Sequence, residues 1–269
     1  MTLVAVTVSN LGKWYVVNEN RYRPPLSDAL IQMIDASFRR PATKRKPAHA
    51  LPASIWALRN VSFEVKSGSV FGIIGRNGSG KSTLLRILAR ITTPTEGRAT
   101  MHGRVGALLE VGTGFHPDFS GRENIMLIGT MMGMTPKEVR KYEDEIIEFS
   151  EIHDFVDTPV KHYSTGMFMR LAFAVAAHLE SEIMLVDEVL AVGDDAFQQK
   201  CKAKIRTAAL AGRTVLFTSH DMNSILGMCQ SCLLLDRGQS VHQGNVEECV
   251  RRYTELCGVT DMAQQVISQ

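Results

Sequence analysis

The apolar positions of this 269-residue chain follow two rhythms, one of period two and one of period near 3.6. Leu3 to Val8 (LVAVTV) is β-branched and apolar, Val61 to Val65 (VSFEV) alternates, and Val70 to Ile74 (VFGII) is unbroken, which predicts three early strands. A helix from about Lys81 to Ala89 follows, then a turn at Pro94 and Gly97 and a strand at Arg104 to Glu110. Residues 120 to 180 read as mainly helical: Ser120 opens one helix, Thr135-Pro136 caps another through Ser150, and Met167 to Leu179 forms a third. From Ile183 strand and helix alternate: Ile183 to Val186, a helix at about Ala196 to Ala211, Thr214 to Thr218, a helix near Met222 to Met228, and Leu233 to Asp236. Such alternation predicts an α/β fold with a parallel sheet covered on both faces.

One segment breaks the rhythm. Some forty residues lie between the strand ending near Tyr15 and the strand resuming at about Ala57, longer than a plain connection. Within them Leu26, Leu30, Met33, Ile34 and Phe38 share one helical face, Ser27 or Asp28 can cap that helix, and Pro41 stops it. Residues 21 to 46 carry seven Lys or Arg against two Asp, so an amphipathic helix with a basic tail is expected there.

Charge over the whole chain is close to balanced, with 30 Lys and Arg against 28 Asp and Glu. This excludes a nucleic-acid binder that works through overall charge and leaves no nucleic-acid partner to be expected. No apolar run approaches the roughly 18 residues of a membrane span, and the first ten residues lack a signal-peptide pattern, so a cytoplasmic location is expected. Five cysteines, an odd number, argue against a disulfide framework. Cys229 and Cys232 make a CxxC at a helix-to-strand junction and read as buried thiols rather than as a metal or redox pair.

The chemistry begins at "GRNGSGKST". Gly75, Arg76, Asn77, Gly78, Ser79, Gly80, Lys81, Ser82 and Thr83 match a phosphate-binding loop set between an apolar strand and an apolar helix. Its glycines let backbone N–H groups turn inward, the helix N-terminus adds partial positive charge, Lys81 faces the terminal phosphates, and the Ser82 hydroxyl can join the shell of Mg2+. The strand Ile183 to Val186 then delivers Asp187 and Glu188 to the sheet edge where ligands sit in parallel sheets. Asp187 is suited to hold magnesium through water, and Glu188 to orient or deprotonate an attacking water. A third element, Ser164-Thr165-Gly166, opens an apolar helix and is a second anion-binding helix start. Two chains in head-to-tail pairing would let each such start meet the nucleotide held by the other.

The order of phosphate loop, "YSTGM", "LVDE", "AVGD" and "TSHD" resembles the nucleotide-binding subunit of ATP-binding cassette transporters over nearly the whole chain. The resemblance implies a RecA-like P-loop core with an antiparallel β subdomain and a helical signature subdomain at about 115–180, together spanning 1–253 with an insert at 16–54. A short tail, 254–269, leaves no room for a carbohydrate-binding domain. It implies ATP and Mg2+ as cofactors, Ser164 and Gly166 as signature residues, Asp194 as the acidic residue of the loop after the strand, and His220 as the histidine on the γ-phosphate. Tyr15 resembles the aromatic that stacks on adenine, with Trp14 as the competing choice. Tyr163, Thr165 and Met167 depart from the commonest signature. Where the family places a magnesium-contacting glutamine this chain has none, and Glu110 is the nearest polar candidate.

"LLEVGTGFHP", "GRENI", "YSTGM", "DEVLAVGD" and "AFQQKC" together resemble subunits that export undecaprenyl-linked polysaccharides: O-antigen, capsule or teichoic acid. Such subunits form a homodimer at the cytoplasmic face of the membrane and drive two copies of a separate permease. The alternatives are a cassette ATPase of another transporter class, or a soluble one acting on DNA or ribosomes, which typically carries tandem cassettes or a coiled-coil insertion.

Overall fold

The computed structural model describes residues 3–17, 53–109, 112–187 and 194–258. The expected helix at Leu26 to Arg40 and its basic tail, Glu110, Glu188 and the last eleven residues lie outside them.

Two sheets organise the chain. Strands β1 (Val4–Val17), β2 (Ala53–Lys66) and β4 (Glu96–Met101) form an antiparallel sheet in the order β2-β1-β4. Strands β3 (Val70–Ile74), β5 (Val105–Leu108), β6 (Ile183–Val186), β7 (Thr214–Thr218), β8 (Ser231–Asp236) and β9 (Gln239–Asn245) form the second, ordered β5-β6-β7-β3-β8-β9. Its strands are parallel except β9, which returns antiparallel on β8.

The unbroken apolar runs have a simple cause, since both faces of the central sheet are buried. Val70 and Ile74 of β3, Met184 and Val186 of β6, and Val215 and Phe217 of β7 enter one core with the helical layers. The intervening Phe71, Ile73, Ile183, Leu185 and Leu216 enter a second core. That second core joins helix α1 (Lys81–Leu88) to the inner face of the antiparallel sheet. Helices α2 (Gly121–Met131), α3 (Pro136–Ser150) and α4 (Thr165–Ala177) form the helical layer. Helices α5 (Asp195–Leu210), α6 (Met222–Met228) and α7 (Val246–Cys257) complete the chain.

Several boundaries differ from expectation. Strand β1 runs on to Val17, past the expected end near Tyr15 and well beyond the apolar run Leu3 to Val8, because it pairs on both sides through shifts of register that the alternation rule does not see. The signature helix starts at Thr165, two residues before Met167, because Ser164 caps it. Strands β4 and β9 carry mostly exposed side chains and so give no apolar signal; their hydrogen bonds alone make them strands. Helix α7 runs to Cys257, into the stretch expected to be tail.

The CxxC reading holds: Cys229 and Cys232 are buried free thiols beside Gly72, and burial pushes the Cys229 thiol up to about 12.

His178 closes the helical layer. It is buried, it donates Nδ1–H to the Ala174 carbonyl at 2.7 Å, and it meets the edge of Phe149 at 5.6 Å. Burial holds its imidazole below the ordinary value of 6.5, so the fold favours the neutral ring. Its contribution is therefore complete above pH 6.5 and is lost as pH falls through the lower folded value. Thermal melts are expected to show stability declining below pH 6.5, by no more than about 1.4 kcal/mol per pH unit from this group. In His178→Gln that component should disappear; an unaltered pH profile would exclude His178 as its source.

Candidate functional site

The phosphate loop leaves β3 at Ile74 and re-enters helix at Lys81, with Gly80 as a left-handed N-cap at φ 106°. Two of its glycines are fixed by neighbours. A Cβ on Gly75 would lie 2.2 Å from the Leu235 carbonyl oxygen, and one on Gly80 would lie 2.6 Å from that of Ala57. Close packing of the loop onto β8 and β2 thus demands glycine at both places. The loop is also tied back by Gly238, whose N–H donates to the Ser79 carbonyl at 3.0 Å. The Ser79 hydroxyl is buried and has no hydrogen-bond partner among the described residues.

Lys81 is only 7% exposed and folds over the loop, its Nζ donating to the carbonyls of Gly75 at 2.7 Å and Arg76 at 3.2 Å. Burial lowers its pKa from the ordinary lysine value, and the charge of Asp187 opposes that shift. The two groups therefore belong to one electrostatic site. In front of the loop lies a cavity of about 340 Å³, lined by Asn77 to Thr83 and by Ile55, Trp56 and Ala57 of β2.

Asp187 follows β6 and His220 follows β7, so both stand at the same C-terminal sheet edge as the loop, in the strand order β6-β7-β3. The register pairs Val186 with Phe217, which sets Asp187 beside Thr218; the Thr218 hydroxyl donates to the Asp187 carboxylate at 2.5 Å. His220 is exposed. Its neighbour Asp221 caps α6, accepting from the N–H groups of Asn223 and Ser224.

The signature residues stand elsewhere, at the start of α4. Ser164 caps that helix, accepting from the Met167 N–H at 3.2 Å, and Ser164, Thr165 and Gly166 are all exposed. A Cβ on Gly166 would meet only the Ser164 hydroxyl, at 3.8 Å. Among the described residues nothing asks for glycine there, in contrast to Gly75 and Gly80. Asp194 caps α5 by accepting from the Phe197 N–H at 2.9 Å, and Arg170 of the signature helix binds its carboxylate at 2.6 Å. The Phe197 N–H, with Arg170 beside it, holds the Asp194 carboxyl below its usual range. Arg170 also pairs with Glu151 at the end of α3, so one guanidinium joins three elements.

Tyr15 is 37% exposed near the end of β1 and is paired with Ile55; Trp14 is paired with Trp56. Tyr15 does not line the cavity, whereas Trp56 does. Trp56 belongs to none of the sequence motifs, and nothing local in the sequence marks it as lining the cavity. Departures in the other motifs also find reasons. The Tyr163 hydroxyl donates to the Phe155 carbonyl at 2.8 Å, and a Cβ on Gly121 would lie 2.3 Å from it, so Tyr163 and the Gly of "GRENI" fit as a pair. Glu123 completes a capping box with Ser120. Asn124, fully buried, holds the loop before α2: it accepts from the His116 N–H and donates to the carbonyls of His116, Phe119 and Ser120.

A P-loop on a parallel sheet, an acidic residue at the adjoining strand edge and a second helix start in a helical layer define a nucleotide-binding cassette. The family model for ABC transporters matches residues 58–191. The chain is 46% identical over 207 residues to the O-antigen export system ATP-binding protein RfbB of Myxococcus xanthus, covering 77% of this chain and 47% of that protein. It is 43% identical to RfbB of Klebsiella pneumoniae, covering 74% of this chain and 81% of the relative. Against the teichoic acids export ATP-binding protein TagH of Lactiplantibacillus plantarum the identity is 41%, over 75% of this chain and 55% of the relative. The matched part therefore spans less than half of the Myxococcus protein but most of the Klebsiella one. Among solved structures, the dimeric post-hydrolysis state of the ATP-binding cassette MJ0796 superposes with a TM-score of 0.67 at 21% identity, over 90% of this chain and 98% of that one. The chain belongs to the ABC transporter family, and its relatives within that family include ATP-binding proteins of polysaccharide export systems.

Proposed function

We propose that this chain is the ATP-hydrolysing subunit of an exporter that moves undecaprenyl-linked polysaccharide across the cytoplasmic membrane, working as a head-to-tail homodimer beneath a separate permease. The observation that carries the dimer is the exposed helix start at Ser164 to Gly166, glycine where its own chain leaves room for a side chain. In such a pair, that start closes on the nucleotide held by the partner's phosphate loop.

Within one subunit the parts have separate tasks. Backbone N–H groups of residues 75–83 and the Lys81 ammonium cradle the phosphates, and the side chain of Tyr15 stacks on the base. Ser82 and Asp187 offer a hydroxyl and a carboxylate, the hard oxygen donors suited to magnesium, at one electrostatic site with Lys81. A magnesium ion held there would supply positive charge to offset that of the phosphates. Glu188 orients the attacking water and takes its proton, and His220 holds the γ-phosphate. Glu110 remains the polar candidate at the family's glutamine position.

Closure is passed to the permease through the apolar groove of about 450 Å³ between the central sheet and the helical layer, which includes Ile91, Thr113, Ile128 and Met131. Ile91 is 52% exposed and Met131 66% exposed, a pattern suited to receiving an apolar segment of a membrane partner. Among the described residues no helix is long and apolar enough to cross a membrane, so this reading gives the conduit to another protein. The basic insert, which lies outside the described residues, is proposed to act at the membrane partner or the headgroup layer.

The test uses Glu188→Gln. Turnover is expected to fall about a hundredfold or more with ATP affinity retained, since general-base assistance contributes about that much. Captured with ATP from detergent-solubilised membranes, this variant should bring down a multi-span protein. Near-normal hydrolysis refutes the role of Glu188; recovery of soluble partners or nucleic acid alone refutes the exporter.

A further inference from the structure

Strand β7 carries Val215, Leu216 and Phe217, all buried between β6 and β3, between two threonines, Thr214 where it begins and Thr218 where it ends. Thr218 is fully buried as well, at 0% exposure. A hydroxyl in such a place is costly unless it is bonded, and valine has the same shape and suits a central strand at least as well. Its bond is not to backbone: Oγ1 donates to Oδ1 of Asp187 on the neighbouring strand. The parallel register fixes this pairing, since Val186, the last residue of β6, lies opposite Phe217, and Asp187 and Thr218 are the residues that follow them. Asp187 in turn shares its electrostatic site with Lys81 of the phosphate loop.

We infer that Thr218 is a positioning residue for the metal-binding carboxylate: its hydroxyl anchors one oxygen of Asp187 and so fixes the plane in which that carboxylate meets the cation beside the phosphates. The inference rests on the reading of Asp187 as a magnesium group. A carboxylate rooted at a strand end can rotate about χ1 and χ2, and a bond to one oxygen selects one of those settings before the cation arrives.

Mn2+ serves as the probe, titrated by the loss of its free-ion electron paramagnetic resonance signal into full-length protein saturated with a non-hydrolysable ATP analogue. Thr218→Val is expected to weaken Mn2+ binding about tenfold, the worth of a hydrogen bond to a charged group. Thr218→Ser, which keeps the hydroxyl, should stay within about twofold of the parent. Analogue affinity measured in EDTA should be the same for all three, a split that a merely structural role would not produce. Should Thr218→Val fail to fold, Thr218→Ala is read by the same criteria. Equal Mn2+ affinity in the parent and the hydroxyl-free variant overturns the inference, as does a matching loss of metal-free nucleotide binding. If the parent holds Mn2+ no better than the analogue alone, the assignment of a metal to Asp187 fails first, and that outcome is distinct from the other two.

Discussion

Lys81→Met is expected to lower ATP affinity at least about a hundredfold while leaving the melting temperature within a few degrees of the parent. In the described structure the ammonium is spent on the loop's own carbonyls, at Gly75 and Arg76, and is covered to 7% exposure. Those carbonyl bonds shape the loop around a buried cation that also faces the charge of Asp187. Burial already lowers the lysine's pKa, so the site bears a cost that a phosphate would offset. Hydrogen bonds to charged groups contribute about 1.5 to 3 kcal/mol each, and the two or more that a triphosphate would accept from Lys81 account for the predicted loss. Methionine keeps the aliphatic stem that packs at the start of α1, so the fold loses little. Equilibrium titration with a fluorescent ATP analogue, paired with a thermal melt, measures both quantities. An affinity within threefold of the parent would remove Lys81 from the phosphate site.

Gly166→Asp tests the other half of the proposed sandwich and should have nearly the reverse signature. The backbone there can accept a side chain, because its Cβ would touch only Ser164 Oγ at 3.8 Å. The melting temperature and the affinity of one chain for nucleotide are therefore expected to be unchanged. A carboxylate at the mouth of the helix start would repel the partner's γ-phosphate and occupy the space its oxygens need. Turnover should drop about a hundredfold or more, on the scale of losing a donor to transition-state charge. In the Glu188→Gln background, ATP should no longer produce a dimer by size-exclusion chromatography. Normal turnover in Gly166→Asp would mean that hydrolysis is completed within one chain. Together the two variants separate a residue that binds nucleotide in its own subunit from one that acts on the neighbour's.

The two substitutions also show where sequence and structure divide the information. The phosphate loop, the carboxylate of Asp187 at its strand end, the signature helix start and the strand-helix alternation were legible because each is encoded locally, by glycines and charges at fixed spacing or by the period of apolar residues. The capping boxes at Ser120 with Glu123 and at Thr135 with Glu138 were equally local. Strands β4 and β9 were silent because an exposed strand carries no apolar period. Trp56 was passed over because a single aromatic in a hairpin gives no sign of which cavity it lines. The amino-acid order by itself thus determined the family of fold and the residues suited to hold phosphate, since those depend on neighbours a few positions apart. Only the tertiary structure decided which side chains meet across strands: Thr218 with Asp187, Tyr163 with Gly121, Arg170 with both Glu151 and Asp194. Such pairs depend on sheet register and helix packing between segments tens of residues apart, and no local periodicity records that.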